Sequence, residues 1–255
     1  MIPMTVKILL LCVAVVSAQN VIFEDNFDNI DGSKWLFEEG NGPGGWGNAE
    51  LEYYTNRQEN ARIEDGHLVI EARREDYGGC AFTSARMITR GNFDFQYGTL
   101  EARIKIPNVQ NGLWPAFWLL GAEGSTWPDQ GEIDVLEYGS ADSLNQGIGN
   151  RMLQGTFHWS NNGNQADYGK SKVMPNDMND GFHTYKMEWN EQFIIMYVDD
   201  QEYVRIDITP LDVFKKRFYL ILNLAVGGNY PNIHDPNAIT AAPGQMWVDY
   251  IKVTQ

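Results

Sequence analysis

The sequence predicts an all-β fold, a sandwich of two sheets in one domain. Three observations carry that expectation. Apolar and polar residues alternate over short runs, turn residues separate those runs, and no long stretch holds helical spacing with caps. A chain of 255 residues is long enough for one well-filled core, and sandwiches of this size commonly stay single.

The elements follow in order. Residues 1–18 hold a lone Lys7, an uncharged apolar run from Ile8 to Val16, and small residues up to Ala18. That pattern reads as an export signal cut after Ala18, and the run is too short to span a bilayer as a helix. Residues 19–255 then form the single folded domain, expected outside the cell. Leu68, Ile70 and Ala72 share one face of a strand, with Glu71 and Arg73 on the other. Leu100, Ala102, Ile104 and Ile106 alternate with Glu101, Arg103 and Lys105 in the same way. Phe193 to Val198, Asp199-Asp200-Gln201 and Glu202 to Ile206 read as a hairpin. Thr209 as a cap, with Pro210 at the first position, predicts a short helical turn reaching Phe214. Strict alternation near the end puts Trp247, Asp249, Ile251 and Val253 on one face.

The formal charge is −15, and losing residues 1–18 removes Lys7 and no acid. Such a chain repels phosphate backbones and anionic membranes, so neither nucleic acid nor membrane is an expected partner. Cys80 is left as the single cysteine of the exported domain, so the fold relies on its core and Cys80 reads as a small apolar filler. Aromatic residues stand out, with 8 Trp, 12 Tyr and 12 Phe. Most belong in the core. Trp46, Trp114 and Trp127 sit in turn-like sequence beside Gly, Pro or Asn, and as a set they suit a cleft that stacks on sugar rings.

The segment Gly131-Glu132-Ile133-Asp134-Val135-Leu136-Glu137-Tyr138 carries the chemistry. In a strand, Glu132 and Asp134 share a face while Ile133 and Val135 pack behind it. Glu137 would fall on the opposite face unless a bulge at Val135-Leu136 restores the side. Three carboxylates on one face repel one another, which gives a folded protein little structural reason to gather them. A solvated acidic edge strand leaves their apolar partners and the flanking tryptophans unexplained. Catalysis has a use for the arrangement: one carboxyl is held protonated as an acid while another stays ionised as a nucleophile. A metal cluster is the other use of such acids, but the strand itself holds no His or Asn to complete a shell.

This string resembles the signature of glycoside hydrolase family 16 in its bulged E-x-D-x-x-E form. Together with Leu113-Trp114-Pro115-Ala116-Phe117-Trp118-Leu119-Leu120 it is similar to the laminarinases, endo-1,3-β-glucanases. The likeness extends to Trp46-Gly47-Asn48, Ser84-Ala85-Arg86, Gly155-Thr156-Phe157-His158-Trp159, Phe182-His183-Thr184-Tyr185 and the run from Leu222 to Gly228. It implies a β-jelly roll of two bent antiparallel sheets with a concave substrate cleft. By resemblance, Glu132 is the nucleophile, Glu137 the acid and then base, and Asp134 the residue that tunes both. Asn48 and Arg86 match sugar hydrogen-bonding positions, Trp114 and Trp127 match aromatic platforms, and His158 faces the acids. Asn223 is a further sugar-binding candidate that a buried structural amide would explain equally well. The family implies no catalytic cofactor, a structural Ca2+ held by Glu24, the Gly66 carbonyl and Asp249, a monomer, and β-glucan as the partner. Two other readings stay open: a non-catalytic β-glucan recognition protein, and a hydrolase of mixed-linkage β-glucan.

Overall fold

Residues 20–124 and 126–255 are described in the computed structural model, so residues 1–18, read above as an export signal, lie outside the described residues. Strands begin where alternation begins. β1 (Val21–Asp25), β2 (Leu36–Phe37), β3 (Glu52–Tyr54), β4 (Ala61–Glu64), β5 (His67–Tyr77), β6 (Cys80–Ser84) and β7 (Arg86–Ile88) come first. β8 (Gly98–Lys105), β9 (Leu113–Gly121), β10 (Glu132–Glu137), β11 (Met152–Asn161) and β12 (Asn164–Val173) follow. The last five are β13 (His183–Trp189), β14 (Phe193–Val198), β15 (Gln201–Asp207), β16 (Phe218–Val226) and β17 (Gly244–Thr254).

The strands form two sheets. One runs β15-β14-β13-β8-β17-β5-β6-β3, with β1 beside β17 and β4 beside β5. The other runs β12-β11-β10-β9-β16-β7-β2. Pairing is antiparallel except between β3 and β6. Phe117, Ile133, Val135, Phe157 and Leu222 of the second sheet meet Leu68, Ile70, Ala102, Met187 and Val248 of the first, all fully buried. The expected two-sheet β-sandwich is therefore what the chain forms. Because β9, β10 and β16 spend alternate residues on that core, their remaining side chains stand on the opposite face, and this face carries the cleft.

Three local expectations are corrected. In β17 a bulge between Val248 and Tyr250 re-phases the strand. Met246, Val248, Ile251 and Val253 are buried, while Trp247 and Asp249 point away from the core. Strict alternation fails there because the extra residue turns the side chains over. The hairpin closes on two residues rather than three: Asp199 and Asp200 both have positive φ, the mirror-image turn that matches strand twist. The helical turn containing Phe214 is a 3-10 turn over Asp212–Lys215, and Thr209 does not cap it. Instead the Thr209 N–H donates to Asp207 Oδ1 at 2.8 Å. Cys80 opens β6 half-buried and unbonded, and burial raises its thiol above the ordinary value.

Candidate active site

The bulge in β10 builds the site. Asp134 pairs with Trp118 of β9, and the next register positions are Leu136 with Phe117 and Glu137 with Ala116. On the other side Asp134 pairs with Thr156 and Glu137 with Gln154. The residue opposite neither neighbour is Val135, and both Val135 and Leu136 pack inward, fully buried. Glu137 thus joins Glu132 and Asp134 on the cleft face. The Val135 carbonyl, turned out of the ladder, accepts a hydrogen bond from the Tyr203 hydroxyl of β15 in the opposite sheet. Gly155 leaves room for that ring: a Cβ there would lie 2.7 Å from Tyr203 Cε2.

Each acid has its own surroundings. The Trp127 N–H donates to Glu132 Oε2 at 3.1 Å, and the Trp114 N–H donates to Glu137 Oε1 at 3.1 Å. His158 Nε2 lies 3.4 Å from Asp134 Oδ2 and 3.9 Å from Glu132 Oε1. Trp114 is itself fixed by stacking on Tyr230, centroids 4.6 Å apart. Burial, followed by the charge of Asp134, pushes Glu132 up to about 8. Three groups pull it back: His158, Arg86 and the Trp127 N–H. Burial drives Asp134 well above the usual carboxylate range. Burial also raises Glu137 well above that range, and the charges of Asp134 and Glu132 add to it. The cluster titrates as a unit, and Glu132 has more partners that favour its ionised form. The arrangement therefore keeps a proton on Glu137 while Glu132 is the acid placed to lose one.

The cleft holds about 530 Å³ and is lined by Asn48, Arg86, Trp114, Trp127, Glu132, Asp134, Glu137, His158 and Asn223, all nine catalytic and sugar-binding candidates. Arg86 lies between Trp46 and Trp118, 4.6 and 4.9 Å from their rings, and its Nε donates to Glu38 Oε2 at 2.6 Å. Asn223 accepts from the Trp118 N–H at 2.7 Å. Trp127 is 46% exposed, open for a ring to lie on it. Residues not singled out above also line the cleft, among them Trp118, Glu50, Thr156 and Tyr230. Trp118 was discoverable, because period two puts it on one face with Trp114 and Ala116. Glu50 was not: an acid beside Leu51-Glu52 looks like solvated surface, yet it is 6% exposed.

The calcium set is a different matter. The Lys34 ammonium donates to the Glu24 carbonyl at 2.8 Å, and Lys252 lies 3.8 Å from the Glu24 carboxylate. Asp249 receives a hydrogen bond from Arg103 and lies 3.6 Å from His67 Nε2. The two carboxylates of the set, Glu24 and Asp249, thus have the protein cations Lys252 and Arg103 as partners, with which a calcium ion held by Glu24, Asp249 and the Gly66 carbonyl would compete. Glu132, Asp134 and His158 do gather donor atoms within 4.8 Å of one another and could hold a cation. The strand alone does not show this group, since His158 comes from β11.

The model of the "Glycosyl hydrolases family 16" matches residues 48–250. The chain is 38% identical over 254 residues to a beta-glucanase of Rhodothermus marinus, covering 91% of this chain and 84% of that one. It is 37% identical over 242 residues to the clotting factor G alpha subunit of Tachypleus tridentatus, covering 92% of this chain but spanning only 34% of that protein. The laminarinase catalytic domain of Thermotoga maritima superposes with a TM-score of 0.81 at 39% identity, covering 94% of this chain and 99% of that domain. A family 16 enzyme of the Bacteroides ovatus mixed-linkage glucan locus superposes with a TM-score of 0.84 at 30% identity, covering 91% and 99%. Bulged carboxylate strand, aromatic-walled cleft, sandwich and sequence agree: the chain belongs to family 16 of the glycosyl hydrolases, enzymes whose hydrolysis needs no cofactor.

Proposed function

We propose that the chain is an exported, retaining endo-hydrolase of β-1,3-glucans. The observation that carries this reading is the β10 bulge, which lines up Glu132, Asp134 and Glu137 on one face with an indole N–H on each of the outer two. In the first step a Glu132 oxygen bonds to the anomeric carbon as the glycosidic bond breaks. The departing oxygen takes the proton from Glu137. In the second step Glu137 removes a proton from water, whose oxygen displaces Glu132 from the same carbon, so the configuration is retained and both acids return to their starting states. Asp134 lies between them and tunes both. Asn48, Arg86 and Asn223 bind sugar hydroxyls, and Trp114 and Trp127 stack on the rings. Preference for β-1,3 linkages is supported by likeness to the Thermotoga laminarinase; the Bacteroides enzyme supports a second reading, mixed-linkage β-glucan. Export rests on the pattern of residues 1–18.

The test is turnover of laminarin and of lichenan by the purified enzyme and two variants. Wild-type enzyme should release reducing ends from laminarin faster than from lichenan. Glu132→Gln should lower the rate by at least ~10⁴-fold with the fold intact. Glu137→Gln should lose glucan hydrolysis, while azide restores glycosyl transfer from a substrate with a good leaving group. Undiminished turnover by Glu132→Gln would end the assignment.

A further inference from the structure

A second pair of acids stands at the cleft wall, Glu50 in its lining and Glu52 outside that lining. Glu50 is 6% exposed and Glu52 0% exposed, and the two side chains lie against each other within hydrogen-bonding reach. Glu52 Oε2 accepts the Val226 N–H at 2.6 Å, while Glu52 Oε1 is buried with no donor directed at it. A carboxylate there would leave a charged oxygen both buried and unpaired, which is among the costliest arrangements a core can hold. A proton on Glu52 removes the difficulty, because the neutral acid leaves no buried charge unpaired and can donate to Glu50. Burial and the neighbouring Glu50 charge also raise Glu52 well above the ordinary carboxylate range.

Glu50 is the end of a chain of donors. The Trp118 N–H donates to Asn223 Oδ1 at 2.7 Å. Asn223 Nδ2 donates to the Tyr54 hydroxyl at 3.1 Å, and that hydroxyl donates to Glu50 Oε2 at 2.9 Å. Every bond points toward Glu50, so one acceptor decides which way the Asn223 amide faces and where the Trp118 indole is held. Bonds ordered in one direction polarise and strengthen one another. We propose that Glu50 and Glu52 share a single proton and act as positioning residues, aligning Asn223 and Trp118 through Tyr54 for binding the sugar chain. The inference rests on reading the cleft as a glucan site, and it adds residues that act on binding through Tyr54, Asn223 and Trp118.

The experiment uses Tyr54→Phe, Glu52→Gln and Glu52→Leu, with two readouts. One is kcat and KM on laminarin. The other needs no substrate: the indole N–H resonance of Trp118 in protein labelled with 15N-tryptophan, assigned by its loss in Trp118→Phe. Tyr54→Phe keeps the buried ring and cuts the chain, so KM should rise about tenfold with kcat within about threefold, and the Trp118 resonance should shift. Glu52→Gln retains a donor toward Glu50 and an acceptor for Val226, so it should keep the wild-type KM and resonance. Glu52→Leu should behave like Tyr54→Phe. The proposal is overturned if Tyr54→Phe leaves both readouts unchanged, or if Glu52→Gln is as impaired as Glu52→Leu. Should the wild-type protein bind no β-glucan, the reading of its function fails, and the Trp118 resonance alone decides the proposal.

Discussion

Glu132 sits where an exposed carboxylate never does, against Asp134 and largely removed from water. Its raised value, about 8 against an ordinary 4.5, has a consequence for stability. Between those two pH values the folded carboxylate cluster holds a proton that the unfolded chain has released, and the reactive form is the one in which that proton has left Glu132. The folded state therefore binds more protons across this window, and stability falls as pH rises through it. Below pH 4.5 the contribution is fully present; above about 8 it is gone. Thermal unfolding of wild type should therefore show Tm declining from pH 4.5 to 8, and Glu132→Gln should decline less steeply. Equal slopes in the two proteins would contradict the assigned environment. The identity of these acids was legible in the sequence, since period two and a clash of like charges both single them out. Their individual surroundings were not. The His158 contact comes from β11, and no local pattern places that strand beside β10.

At the scale of elements, two bulges matter and only one was foreseeable. In β10 the chemistry demanded it, because three acids needed one face. In β17 nothing in Trp247 to Val253 signals the extra residue, and alternation alone assigned Ile251 and Trp247 to the same side. The β10 bulge depends on a partner from the other sheet, the Tyr203 hydroxyl on the Val135 carbonyl. Tyr203→Phe would leave that buried carbonyl unpaired, and should cost about 1–3 kcal/mol of stability. It should also lower kcat, because Glu137 follows the bulge. Denaturant unfolding and steady-state kinetics measure both effects. Full stability together with full kcat would show that the bulge holds its shape without Tyr203. The sequence was silent on this contact, since it joins residues 68 positions apart across the core.

For the molecule as a whole, the two-sheet sandwich was legible because alternation and turns recur along the entire domain, and no long helical pattern competes with them. On the face away from the cleft the residues themselves carried less signal. Resemblance alone assigned calcium to Glu24, Gly66 and Asp249, and in the structure Lys252 and Arg103 already pair with the two carboxylates of that set. Tm should accordingly be the same within about 1 °C in EDTA and in millimolar calcium, since a bound ion would stabilise by mass action. A calcium-dependent rise of several degrees would contradict that reading.

The central claim is that Glu132 and Glu137, gathered by the bulge, break and remake bonds at one face of the sugar. The most direct measurement is proton NMR of the first reducing ends released from laminarin, followed before mutarotation equilibrates them. Double displacement predicts the β-anomer at the earliest times, with the α-anomer growing in afterwards. The α-anomer appearing first would mean single displacement by water, and would contradict a covalent role for Glu132.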